Sequence, residues 1–146
     1  MFVEFMKQEF LLFIALAIIV LMLLYSYVGD RFLGYTQLSP EEATRVYNKG
    51  AQLFDVRTEA EYKTGFIGDA RNMTESDLLA KLANQKDQEI LVYCQSGARS
   101  ARAASNLVKN GFTKVYNLRG GILAWKMAGL PLNQPESRKA ARRKAK

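Results

Sequence analysis

The chain has 146 residues, a length of about one domain, and a formal net charge of +7. It contains no histidine and a single cysteine, Cys94. That excludes Ser-His-Asp or Cys-His catalysis within the chain, an N/S zinc site, a chain-held iron–sulfur cluster and an internal disulfide. Residues 135–146 hold six Lys/Arg against Glu136, so the rest of the chain is close to neutral.

Residues 10–28 (FLLFIALAIIVLMLLYSYV) contain no charge, proline or glycine. As a helix they would reach about 28 Å, close to the hydrocarbon thickness of a bilayer. Tyr25 and Tyr27 fit an interfacial belt. Glu4, Lys7 and Glu9 make a poor n-region for a secretory signal, and no small-residue cleavage pattern follows the run. The expectation is one retained transmembrane helix over 10–28 within an N-terminal segment 1–29.

A linker is expected over 30–36 and a folded domain over 37–133. Ser39, Pro40 and Glu42 give a helix start with a capping box, Ala43, Val46 and Tyr47 an apolar face, and Gly50 a stop. Residues 52–56 read as a short strand, 59–63 as one helical turn, and Thr74 and Asp77 as the start of a helix bearing Leu78, Leu79 and Leu82. Residues 89–94 (EILVYC) form a near-continuous apolar strand, suited to a sheet buried on both faces. A helix follows over 99–110 with Ala101, Ala104, Leu107 and Val108 inward, then a strand over 114–118 and a helix over 122–127. Strands alternating with helices predict a three-layer α/β domain with a mostly parallel central sheet. The basic tail, 134–146, is expected to be disordered.

Chemistry concentrates at the end of the 89–94 strand. Cys94 is followed by Gln95, Ser96, Gly97, Ala98, Arg99 and Ser100, a short loop running into a helix. In an open parallel sheet, ligands bind beyond the carboxyl ends of the strands. A thiol placed there meets the unpaired N–H groups and the dipole of a helix N-terminus, with Arg99 adding positive charge. These lower a thiol pKa and favour the thiolate.

The segment Tyr93-Cys94-Gln95-Ser96-Gly97-Ala98-Arg99-Ser100 resembles the active-site loop of the single-domain rhodanese sulfurtransferases. In the same order, Leu53-Phe54-Asp55-Val56-Arg57, Gly65-Phe66-Ile67 through Ala70-Arg71-Asn72, and Asn117-Leu118-Arg119-Gly120-Gly121-Ile122-Leu123-Ala124-Trp125 resemble other stretches of that family. The resemblance implies a persulfide cycle at Cys94, fed by a sulfane-sulfur donor such as thiosulfate and discharged to cyanide or a thiol. It assigns Gln95, Ser96, Gly97, Ala98, Arg99 and Ser100 to substrate binding; Asp55 and Arg57, a charge pair following a buried strand, read as structural support, and no metal or cofactor is expected. Where the family carries Gly-His-Ile-Pro-Gly-Ala, this chain has Gly65-Phe66-Ile67-Gly68-Asp69-Ala70, which implies altered packing there. Tyr93 and Trp125 read as core residues.

A scaffold that keeps the loop without turnover is the first alternative, and a cysteine phosphatase the second. Four residues separate Cys94 from Arg99, where cysteine phosphatases have five, so the phosphatase is disfavoured. The expected partners are a small sulfur donor, a thiol acceptor and membrane lipid; a membrane-protein partner is left open and nucleic acid is not expected. Lys7 on the short side against Arg31 and Arg45 on the other predicts a single-pass protein of the cell (inner) membrane with the domain in the cytoplasm. A lone exposed thiol, easier to sustain in a reducing compartment, points the same way.

Overall fold

The computed structural model describes residues 1, 3–4 and 9–145. Lys7, part of the charge argument for orientation, and Lys146 of the tail lie outside them. The chain divides into two compact units, Met1–Leu33 and Gly34–Lys146.

The first unit is dominated by helix α1, Phe10–Phe32. Its Phe10–Gly29 stretch has a mean hydropathy of 2.8 and none of it is buried. It is long and apolar enough to cross a membrane. The helix runs past Val28 into the expected linker, because a lone Gly29 lowers helix propensity without stopping the turn-to-turn hydrogen bonds.

The second unit runs β1 (Thr36–Leu38), α2 (Pro40–Asn48), β2 (Gln52–Asp55), α3 (Glu59–Lys63), β3 (Arg71–Asn72), α4 (Glu75–Lys81), β4 (Ile90–Tyr93), α5 (Ala98–Lys109), β5 (Val115–Leu118), α6 (Gly121–Met127) and α7 (Pro135–Lys144). The sheet order is β1-β5-β4-β2-β3 and every pairing is parallel. Central β4 is buried throughout, and its alternating side chains feed two separate cores. Leu91 and Tyr93 join Leu53, Phe66, Leu118, Ile122 and Trp125 on one face. Ile90 and Val92 join Phe54, Leu78, Ala104 and Leu107 on the other. Helices thus cover both faces, giving the three layers expected of an α/β domain.

The helix starts follow local chemistry. The Ser39 hydroxyl accepts the Glu42 N–H (3.3 Å) while Glu42 accepts the Ser39 N–H (2.8 Å), the reciprocal box expected at α2. At α4 the Thr74 hydroxyl accepts the Asp77 N–H (3.2 Å), but Asp77 Oδ2 takes the Thr74 hydroxyl proton (2.7 Å) instead of its backbone N–H. An aspartate is one methylene shorter than the glutamate that completes a box.

Several details depart from the sequence reading. Strands β1 and β3 were not anticipated, since they are short edge strands of mostly polar residues without an apolar run. Helix α5 begins at Ala98, and it buries Ser100, Ala103, Ala104 and Leu107 while Ala101 and Val108 are only half-buried. The basic segment expected to be disordered contains α7. Pro135 stands in its first turn with Glu136, and Arg142, Arg143 and Lys144 stand in its last, an arrangement that suits the helix dipole. Phe66, in place of the family's histidine, is buried and stacks on Tyr62 with ring centroids 4.5 Å apart.

Candidate active site

Cys94 follows β4 immediately, at the carboxyl end of the central strand and just before α5. It is fully buried, which corrects the expectation of an exposed thiol: the loop folds back over the sulfur. The Gly97 N–H donates to Cys94 Sγ (3.1 Å), and the Ser100 hydroxyl lies 3.4 Å from Sγ and 3.2 Å from the Gly97 carbonyl. That hydroxyl has one proton, and an ionised sulfur is the stronger acceptor for it.

Backbone planarity explains why N–H groups converge on the sulfur. The Cys94 carbonyl accepts the Ile122 N–H (2.9 Å) and the Gln95 carbonyl accepts the Leu123 N–H (3.2 Å), satisfying two otherwise unpaired donors in the first turn of α6. In a trans peptide the N–H points opposite to the C=O. With both carbonyls drawn toward α6, the amides that follow turn away from it, and the Ser96 N–H joins those of Gly97 and Ser100 in lowering the Cys94 thiol pKa.

Two glycines make this approach feasible. Gly97, at φ 96°, turns the chain into α5 in a conformation that other residues adopt at a cost. Gly121 sits at φ 60°, where a Cβ would lie 2.4 Å from the Cys94 carbonyl oxygen and 2.6 Å from the Gln95 carbonyl carbon. Only a glycine lets α6 close on the loop at that distance.

Burial pushes the Cys94 thiol up, but hydrogen bonds from the Ser100 side chain and from the backbone N–H groups of Ser100, Ser96 and Gly97 outweigh it. The net direction is below the ordinary thiol range. No group of three or more His, Cys, Asp or Glu placed to hold a metal occurs among the described residues.

Arg99 is about one-third exposed and forks onto Glu61, with Nη1 to Oε2 at 2.9 Å and Nη2 to Oε1 at 2.7 Å. Hydrogen bonds from Arg99 first, and from the Thr58 backbone next, hold the Glu61 carboxyl down at about 2. Sequence reading placed Arg99 at the loop but missed Glu61. The Thr58-x-x-Glu61 spacing of a capping box was legible, whereas its pairing with a residue 38 positions away was not.

Asp55 and Arg57 lie at the carboxyl end of β2, both buried. Arg57 Nε donates to both Asp55 oxygens (3.0 Å each), and Nη2 donates to Asp55 Oδ2 (2.6 Å) and to the Gly65 carbonyl (2.7 Å). The Arg57 guanidinium also lies 5.8 Å from the Tyr93 ring centroid, and its Nη1 donates to Gln95 Oε1 (3.5 Å). The pair therefore ties the 55–65 stretch to the edge of the Cys94 loop. Burial pushes the Arg57 pKa down, and the bonds and charge of Asp55 more than offset this. Asn117, on β5, is a further loop support that the sequence reading did not single out. Its Nδ2 donates to the Gly97 carbonyl (3.4 Å) and to Gln37 Oε1 (2.9 Å).

Known proteins share this fold and much of this sequence. The family model described as "Rhodanese-like domain" matches residues 39–128. A sulfurtransferase of Allochromatium vinosum is 42% identical over 85 residues, covering 58% of this chain and 79% of that one. Thiosulfate sulfurtransferase 18 of Arabidopsis thaliana is 34% identical, covering 68% of this chain and 85% of that one. The solution structure of the rhodanese-like domain of the Alr3790 protein of Anabaena superposes with a TM-score of 0.60 at 28% identity, over 67% of this chain and 78% of that one. The chain belongs to the rhodanese-like domain family and is a sulfurtransferase of that kind.

Proposed function

We propose that Cys94 carries a sulfane sulfur as a persulfide between a small anionic donor such as thiosulfate and a thiol or cyanide acceptor. The observation that carries this reading is the sulfur of Cys94 receiving the Gly97 N–H at 3.1 Å, with the Ser100 hydroxyl 3.4 Å away. The thiolate attacks the outer sulfur of thiosulfate, forming the Cys94 S–S bond. The donor's own S–S bond breaks and its electron pair leaves with sulfite. An acceptor nucleophile then attacks the outer sulfur of the persulfide, and the electron pair of that bond returns to Cys94 as thiolate. No proton transfer from a general base is needed, because the nucleophile is already ionised. Gln95, Ser96, Gly97, Ala98, Arg99 and Ser100 form the cradle; Asp55 and Arg57 brace its edge. The sulfurtransferase of Allochromatium vinosum and the thiosulfate sulfurtransferase of Arabidopsis support the choice of donor class.

α1 anchors the protein in a membrane on this reading, supported by its length, its hydropathy and the absence of burial along it. The folded domain faces the cytoplasm on the same reading. The Arg31 and Arg45 bias supports that side; the argument from an exposed thiol does not survive the burial of Cys94.

Mass spectrometry after thiosulfate treatment tests the cycle. The protein is expected to gain one sulfur atom on Cys94, and Cys94→Ser to gain none and lose thiosulfate:cyanide activity. Substantial transfer by Cys94→Ser would overturn the assignment.

A further inference from the structure

Arg99 is the only cation between Cys94 and Ser100. Both of its terminal nitrogens are committed to Glu61, at 2.9 and 2.7 Å. Glu61 is itself held in place: as the third helical residue of α3, its Oε2 also accepts the Thr58 N–H (2.9 Å) and the Thr58 hydroxyl (2.9 Å). The carboxylate therefore cannot swing away without unmaking the cap of α3. The positive charge an anionic donor meets at this loop is matched one for one by a fixed negative charge, beside a third charge on the Cys94 thiolate.

We propose that Glu61 is a positioning and specificity-determining residue for sulfur transfer, holding Arg99 in one geometry and keeping the site negative enough to favour singly charged sulfane donors over doubly charged ones. The inference rests on the sulfurtransferase reading of the site. The reasoning is Coulombic. A fixed unit charge acts twice as strongly on a dianion as on a monoanion at the same place. At the edge of a partly exposed loop, salt screens the interaction without abolishing it, so the effect on a dianion is about three- to tenfold. On a monoanion it is about the square root of that factor.

Two donors separate the terms in the full-length, detergent-solubilised protein with cyanide as acceptor. Thiosulfate is a dianion that leaves as sulfite; methanethiosulfonate is a monoanion that leaves as methanesulfinate. Glu61→Gln keeps an acceptor for Thr58 and removes the charge. It is expected to lower KM for thiosulfate about three- to tenfold and KM for methanethiosulfonate by only about the square root of that, with kcat within about twofold. Arg99→Gln is expected to raise the ratio of the two KM values, and the double variant to bring it back toward wild type. Thr58→Ala, which loosens the cap and leaves both charges, is expected to lower thermal stability with little change in the ratio.

An unchanged ratio in Glu61→Gln, or equal shifts for the two donors, would overturn the proposal. Should Glu61→Gln fail to fold, ionic strength reads the same charge effect in the wild-type protein: added salt is expected to lower the KM of thiosulfate relative to that of methanethiosulfonate, and an unchanged ratio would equally overturn the proposal. A wild-type protein that takes sulfur from neither donor would instead refute the sulfurtransferase reading. The two failures are thus distinguishable.

Discussion

Replacing Gly121 by alanine places a methyl group where the structure leaves no room for one. The residue sits at φ 60°, a left-handed conformation that costs a residue with a Cβ about 1 kcal/mol or more. The added Cβ would lie 2.4 Å from the Cys94 carbonyl oxygen and 2.6 Å from the carbonyl carbon and oxygen of Gln95, against ordinary contacts of about 3.5 Å. The obstacles are main-chain atoms, so no side chain can rotate away. Relief requires α6 and the loop to part by roughly 1 Å, which stretches the hydrogen bonds from Ile122 (2.9 Å) and Leu123 (3.2 Å) to the loop carbonyls. At about 1 kcal/mol for each bond, and with strain added, the expected loss is about 3–5 kcal/mol. Urea denaturation of the detergent-solubilised full-length protein, compared with wild type, measures it. Sulfur uptake at Cys94 should fall in step, because the carbonyls that aim the amides at the sulfur would no longer be held. A loss below about 1 kcal/mol with sulfur uptake intact would refute this account of how the loop is held.

Other perturbations test neighbouring parts of the argument. Because the Cys94 thiol lies below the ordinary range, its thiolate forms at lower pH than that of a free cysteine. The rate of alkylation by iodoacetamide should therefore rise through a midpoint below about 8.5, and small reagents should outpace bulky maleimides since the sulfur is buried; a midpoint at or above that value would contradict the hydrogen-bonding argument. Arg57→Met strands the buried Asp55 carboxylate and should cost about 3–5 kcal/mol in chemical denaturation, whereas a double variant with Asp55→Asn should recover part of it. Protease added to intact spheroplasts should spare the folded domain until the membrane is broken, and cleavage before lysis with a cytoplasmic marker retained would reverse the orientation.

What the sequence disclosed follows from the range of the interactions involved. The α2 cap was legible because Ser39 and Glu42 are three residues apart and bond to each other's backbone. Strand β4 was legible because burial on both faces leaves a continuous apolar run. The Cys94 loop was legible as a string of small and polar residues between that strand and a helix. Burial of the thiol was not, because it depends on Gly120 and Gly121 closing on the loop from more than twenty residues away. Glu61 escaped for the same reason: its local capping pattern says nothing of a guanidinium brought in from α5. Edge strands β1 and β3 are polar segments whose pairing is decided by the neighbour, Thr36 with Tyr116 and Arg71 with Phe54.

The concealment of Cys94 has a consequence for when the protein can react. With the thiol wholly covered and no second cysteine in the chain, the empty form offers little purchase to bulky oxidants or to the thiols of other proteins. On the persulfide reading, loading lengthens the side chain, since the terminal sulfur lies about 2 Å beyond Sγ and so nearer to a visiting acceptor. No second thiol in the chain competes for that sulfur. Reactivity toward a visiting acceptor is then tied to cargo, while the empty form selects donors and reagents small enough to reach the covered sulfur.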